Sequence, residues 1–494
     1  MNRLLPAAVA LALFAPALTA QAQIALSAND NKVVLDNGTV RTAREPSPDT
    51  LSIIDLGANP PRLRAEIQVG ASVVGPPLSV AIAPHEQFAL VTSNQRYDPA
   101  DPSKLIPGNG MAVVDLTANP PRVTATVATG SGPAGVSINR AGTMALVANR
   151  AEGTVSVYRI TNGSTVALAG KVEIGPVSSE VSHVAFTPDG RHALVTRYGD
   201  HMVNVLNIDN DKVTKSNREI TTGVRPYGVS ITPDGHWAVV ANIGRGTGDA
   251  DTVSLLDLQK EPWRIVDTVS VGQTPEGIQV SPDSRFAAVT VMNGSNKPAG
   301  SPFSGNGLVR MLRIADGRLA VVSEARVGTW AQGVAFSPDG RTLLVGNMVD
   351  HDVQVLRVSE EGKITDTGTK IAVGGGSAAL RTVADYGPGG AGRRCPAHPG
   401  RGRRDERVGA KASWPAGRID RRRPPSLASV PQRDRRPAPW PTAACVSASS
   451  SRPSTARATT RRSPWPATWN SSPGWTTSAT TRPGSASTTR PVGS

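Results

Sequence analysis

The chain has 494 residues and a formal net charge of +14, but the charge is unevenly placed. From residue 387 onward there are 20 Lys plus Arg against 4 Asp plus Glu, which leaves 33 basic and 35 acidic residues in 1–386. The first 386 residues are therefore close to neutral, and a nucleic-acid partner, which calls for a basic face, is not expected for them. Both cysteines, Cys395 and Cys445, lie beyond residue 386, so neither disulfides nor thiolate metal sites are expected in the main body.

The first 22 residues read as a secretory signal peptide. Arg3 precedes an apolar run over 4–18, and Ala20-Gln21-Ala22 supplies a small-residue cleavage site. The run is short for a membrane span and no later segment is longer, so no membrane span is expected. The mature protein is expected to begin at Gln23 and to be periplasmic or secreted.

From Ile24 onward one unit recurs: a Gly or Pro turn, a short apolar strand, a Pro-Asp-Gly-like turn, and further short strands. Its clearest copies end in Pro188-Asp189-Gly190, Pro233-Asp234-Gly235 and Pro338-Asp339-Gly340, with weaker copies centred on Pro84, Arg140, Pro282 and Val383. Successive anchors lie 56, 48, 45, 49, 56 and 45 residues apart, the length of one four-stranded blade. Pro presets φ and Gly accepts positive φ, which suits the turn between the first two strands. The strands are rich in aliphatic and β-branched residues, and no helical periodicity of useful length is present.

The two ends of this region complete each other. Residues 24–29 match the second strand of the unit, 51–56 the third and 63–69 the fourth, while 379–383 supply the missing first strand. The expected fold is an all-β, seven-bladed β-propeller over 23–386, closed by one C-terminal strand plus three N-terminal strands. Closure of this kind hides edge strands that would otherwise be exposed. Residues 387–494 contain one Leu, one Ile, four Val and no Phe, too little to bury a core. Two readings of that tail stay open: a disordered basic extension, or out-of-frame sequence following a frameshift or lost stop near 382–387.

The strand-turn-strand motifs, with Val-Ala-Asn at 147–149 and Val-Thr-Arg at 195–197, resemble the YVTN-repeat, lactonase-like seven-bladed propeller family over essentially all of 24–386. The resemblance implies the fold and leaves function open, because the family includes lactonases, cofactor-carrying domains, surface-layer proteins and exported scaffolds.

Four insertions, at 30–49, 95–108, 243–250 and 293–306, fall between second and third strands and are expected on one face. Register places Leu78, Ala134, Ser182, Tyr227, Glu276, Gln332 and Ala378 around the channel at that face, with His183, Glu180, Arg225 and Trp330 beside them. Arg225, Tyr227, Glu276, Trp330, Gln332 and His183 are the candidate ligand-binding set, suited to a small polar ligand with Arg225 taking a carboxylate or phosphate.

Lactonases of the family carry Pro-Arg-His before the turn motif. His183 occupies the His position, but Val181 and Ser182 replace the Pro and Arg. The family's Glu falls at Gly277, with Glu276 one position early, and a one-residue slip on a regular strand reverses a side chain. On that ground the expected function is a non-catalytic binding scaffold for a small polar ligand or an envelope protein partner, acting as a monomer. The alternative is a lactone hydrolase using His183, with Glu276 or Glu180, and Arg225. No metal or cofactor motif is present, so none is expected.

Overall fold

A computed structural model describes residues 23–387. Within them lie seven four-stranded antiparallel sheets, two short hairpins and two single-turn 3-10 segments. Six blades are built from consecutive strands: blade 1 over 80–128, blade 2 over 133–173, blade 3 over 181–221, blade 4 over 226–272, blade 5 over 275–326 and blade 6 over 331–372. Blade 7 combines Gly376–Arg381 with Ile24–Asp30, Thr50–Asp55 and Arg62–Gln68. The seven-bladed ring and its closure by both chain ends are thus as the repeat spacing predicts. No helix among the described residues is long and apolar enough to cross a membrane.

The recurring turn is held by side-chain chemistry that the sequence displays openly. In blade 3, Asp189 accepts from the Thr187 hydroxyl at 2.6 Å and from the Arg191 N–H at 3.1 Å. The same pair of bonds recurs at Asp234, Asp283 and Asp339. The residue after each Asp takes positive φ, from Gly190 at 70° to Gly340 at 72°, with Ser284 filling the place in blade 5.

The Asn that ends several second strands has an equally local purpose. Asn149 is fully buried, donates to Thr154 Oγ1 and Ser156 Oγ at 2.9 Å each, and accepts from the Gly130 N–H at 3.1 Å. Asn242 and Asn29 bond the matching Thr and Ser of their own blades. Replacing Asn149 with Leu removes three hydrogen bonds from a buried layer and leaves the Gly130 N–H and the Thr154 hydroxyl only their longer bonds, to Ser156 Oγ and Glu152 at 3.3 Å each. The expected loss is about 2–4 kcal/mol, read as a lower denaturation midpoint with an unchanged denaturant slope.

Apolar side chains pack between blades and not around one centre. One layer joins Ala81, Phe88 and Leu90 of blade 1 to Val136, Ala145 and Tyr158 of blade 2, and the pattern repeats around the ring. The closing blade is packed on both sides, by Leu26 and Ile53 against Val80 and Val91, and by Ala25, Ile54 and Leu380 against Leu344 and Val355. After the last strand, Val383–Tyr386 turns across the base of the channel. There Tyr386 donates to the Ile82 carbonyl at 2.9 Å, Asp385 pairs with Arg381 at 3.0 Å, and Arg140 donates to the Tyr386 carbonyl at 2.7 Å. Residues through Tyr386 therefore belong to the propeller. The expected signal peptide and the tail beyond 387 lie outside the described residues.

Candidate functional site

The four insertions share a face, as their position between second and third strands dictates, and they touch. Tyr97 Oη donates to the Lys32 carbonyl at 3.4 Å, linking 95–108 to 30–49. Gly38, at φ 80°, packs so closely on Pro298 that a Cβ would overlap the proline ring, which links 30–49 to 293–306. Lys297 Nζ donates to the Gly246 carbonyl at 2.5 Å and Gly248 packs on the Phe303 ring, which brings in 243–250. Blades 2, 3 and 6 carry no insertion; each turns directly from its second to its third strand, at 150–153, 198–201 and 348–351.

Two backbone devices shape the entry to the channel. The residue before the first strand is left-handed in five blades: Gly132, Glu180, Arg225, Thr274 and Trp330, with φ between 46° and 63°. Four of these are not glycine, at a cost of about 1–2 kcal/mol each, and strain of this kind gathers where a fold positions functional groups. Each carbonyl accepts from the first residue after the second strand, as in Arg150 N–H to Gly132 at 2.8 Å and Ile243 N–H to Arg225 at 3.0 Å.

The second device is a bulge at the start of the same strands, between Pro133 and Val136, Val181 and Val184, Pro226 and Val229, Pro275 and Ile278, and Ala331 and Val334. A bulge breaks strict alternation and re-aims side chains. The bulge leaves to Glu276, one position before the place of the family's Glu, the channel-side position that register assigns to it. A Cβ at Gly277 would lie 2.2 Å from the Gln332 carbonyl oxygen, so that position admits no side chain, while Glu276 turns inward and takes a hydrogen bond from the Gln332 side chain.

The groups that converge come from blades 2 to 6. Arg150 pairs with Glu180 at 3.0 Å and donates to Ser182 Oγ. Its guanidinium lies 4.4 Å from the Tyr198 ring centre, and that of Arg225 lies 5.0 Å from the same ring. Tyr198 and Tyr227 are 5.7 Å apart, centre to centre. Tyr227 reaches across the channel mouth to the backbone of Gly75. Thr196 of blade 3 fixes the Tyr227 carbonyl at 2.8 Å, and Thr290 of blade 5 fixes that of Gln332 at 2.6 Å.

Burial pushes the Glu276 carboxyl up to about 8, opposed by the Gln332 hydrogen bond. Burial likewise raises the Tyr198 phenol, which lies within electrostatic range of Arg150, Arg225, Glu180 and Glu276. The cluster therefore holds a carboxyl that changes charge near neutrality, two guanidinium groups and two phenols.

Of the seven candidate catalytic and ligand-binding residues named from the sequence, Glu180, Arg225, Tyr227, Glu276 and Gln332 meet here. Two do not. His183 is fully buried one level below; its Nδ1 accepts from the Val229 N–H at 3.3 Å, and burial together with Arg381 keeps the imidazole neutral. Its charged neighbour is at the channel base, and the Arg-Tyr cluster is not among its electrostatic partners. Trp330 joins an apolar roof with Val33, Val73, Met292 and Met348.

Arg150 and Tyr198 were not singled out from the sequence. Both are the first residue after a second strand, where blades 4, 5 and 6 have Ile243, Met292 and Met348, and that change from aliphatic to cationic or aromatic was the readable signal. Among the described residues no group of three His, Cys, Asp or Glu is placed to hold a metal ion.

A family model described as lactonase, seven-bladed β-propeller matches residues 122–380. No curated protein matches the sequence. Among solved structures, the periplasmic gluconolactonase of Pseudomonas aeruginosa is similar with TM-score 0.55 and 17% identity, over 73% of this chain and 98% of that one. A Bacteroides uniformis protein provisionally assigned as a 6-phosphogluconolactonase is similar with TM-score 0.57 and 16% identity, over 73% and 99%. Kuenenia stuttgartiensis hydrazine synthase is similar with TM-score 0.50 and 19% identity, over 65% and 93%. At these identities the structural likeness speaks for the fold alone.

Proposed function

Because the chain belongs to the lactonase, seven-bladed β-propeller family, we propose that it hydrolyses lactones of sugars or acyl chains at the cluster formed by Arg150, Tyr198, Arg225, Tyr227 and Glu276. The observation that carries this reading is the gathering around Tyr198 of a buried carboxyl, Glu276, raised to about 8 by burial, and two guanidinium groups, Arg150 and Arg225, that pack on its ring. The non-catalytic scaffold expected from the displaced motif gains no support from the family match, and the bulge across Pro275–Ile278 weakens the argument from strict alternation that the one-residue slip at Glu276 rested on.

In this reading the Glu276 carboxylate takes a proton from water as the oxygen bonds to the lactone carbonyl carbon. Negative charge gathers on the carbonyl oxygen, and Arg225 meets it. Arg225 suits that task better than Arg150, whose guanidinium is already engaged by Glu180 and Ser182. The ring C–O bond then breaks, and the leaving alkoxide recovers the proton from Glu276. The product is the open-chain hydroxy acid. Tyr198 and Tyr227 give the substrate a flat, partly apolar bed.

A base that titrates near 8 sets the pH dependence. After subtraction of the spontaneous rate, kcat/KM is expected to climb about tenfold per pH unit through the acid range and to level off above about 8. Acid release from gluconolactone, a phosphorylated sugar lactone and acyl homoserine lactones, measured with residues 23–386, tests the assignment. A folded, cooperatively melting protein that turns over none of them would overturn it. We also propose that the protein is exported, on the strength of Arg3, the apolar run over 4–18 and Ala20-Gln21-Ala22.

A further inference from the structure

We propose that the pocket between the first two insertions is a second ligand site, for an uncharged sugar. It is a cavity of about 540 Å³ whose walls include Pro46, Pro48, Asp49, Gln95, Tyr97 and Asn109. That volume is in the range of small-molecule sites. Half of its wall is made by segments that a plain four-stranded blade does not contain, 30–49 and the hairpin of Gln95–Asp98 with Asp101–Pro107.

The charges at the floor are fully committed to one another. Lys32 is buried, pairs with Asp49 at 2.5 Å and Asp30 at 3.3 Å, and donates to the Ala71 carbonyl. Asp49 also accepts from the N–H groups of Asn31 at 2.9 Å and Ala71 at 3.1 Å, and Asp30 from those of Lys32 at 2.6 Å and Val73 at 2.7 Å. A ligand carboxylate or ammonium arriving here would have to break this network, which disfavours a charged ligand. The network makes the floor rigid, and its one Lys and two Asp are balanced in sum by Arg96 in the wall.

The groups left for a ligand are of a different kind. Within the described residues the carboxamides of Gln95 and Asn109 and the guanidinium of Arg96, also in the wall, make no side-chain hydrogen bond. They stand beside the half-buried Tyr97 ring and the exposed Pro46 and Pro48. A carboxamide offers donor and acceptor at once, which matches adjacent hydroxyls. An aromatic ring and two pyrrolidines offer the flat apolar surface that the C–H face of a pyranose presents. The combination fits an uncharged saccharide and lies outside the hydrolytic cluster, so its test is independent of turnover.

Saturation-transfer NMR on the full chain with maltose, cellobiose and diacetylchitobiose reads this directly. Transfer to the ring protons of at least one disaccharide is expected, unchanged in Glu276→Gln. The dissociation constant should weaken at least about tenfold in Tyr97→Ala, with Asn109→Ala as the second variant should Tyr97→Ala fail to fold. Absence of transfer with all three sugars, or equal binding by both variants, would overturn the proposal. So would preference for glucuronate over the neutral sugars that disappears in Arg96→Ala.

Discussion

Glu276→Gln is expected to make the protein more stable and to remove its hydrolytic activity. Between pH 4.5 and about 8 the folded chain holds a proton on Glu276 that the unfolded chain has released. The stability associated with this group is complete below the unfolded value, falls as pH rises, and is fully lost above about 8. Glutamine keeps a polar partner for Gln332 without the buried charge. At pH 8 the variant should gain at most about 5 kcal/mol, seen as a higher melting temperature whose excess over the parent shrinks toward pH 5. Loss of the general base should lower kcat by about 10²–10⁴. His183→Ala provides the contrast: it opens a cavity and lowers the melting temperature, while kcat/KM of the folded protein stays within about tenfold. Parental turnover in the Glu276→Gln protein would remove Glu276 from the mechanism, and a His183→Ala protein that is stable but inactive would shift the chemistry below the cluster.

A chain ended after Gly375 is expected to lose cooperative folding altogether, whereas one ended after Tyr386 should melt as the longer chain does. The shortened chain lacks Gly376–Arg381, the innermost strand of blade 7, and with it Ala379 and Leu380 from the two apolar layers beside that blade. It also lacks the bond between the Ser27 and Ser377 hydroxyls and the Val383–Tyr386 turn that closes the channel base. Exposing the Ile24–Asp30 edge would invite pairing with other chains. Far-UV circular dichroism through a thermal ramp, with sedimentation to detect aggregates, distinguishes the two chains. A cooperative, monomeric transition from the chain ended at Gly375 would show that the ring stands without its closing strand.

The parts of this molecule that could be read in advance are those whose chemistry is local. Thr187, Asp189 and Gly190 make their turn within a few residues, and Asn149 meets Thr154 and Ser156 across one hairpin. Blade number and ring closure follow once such units are counted. The site was legible only in part. Register gave the level of Tyr227, Glu276 and Gln332, but the bulge at Pro275–Ile278, which decides where Glu276 points, left no mark in the residue pattern. The left-handed backbone at Glu180, Arg225 and Trp330 is likewise imposed by a carbonyl contact to the end of the second strand, a tertiary demand overriding local preference. Arg150 and Glu180 belong to different blades, and their pairing depends on how blades 2 and 3 pack.

The closing strand also fixes when this protein can exist. The first strand made and the last one made are neighbours, with Ser27 and Ser377 in contact across 350 residues. Until Arg381 has been made, the Ile24–Asp30 edge lacks the strand that pairs with it, and Leu26 and Ile54 lack Ala379 and Leu380 beside them. Folding is therefore expected to be a late event, slowed by the search that distant pairing entails, and the finished ring is a record that translation stayed in frame through the closing strand.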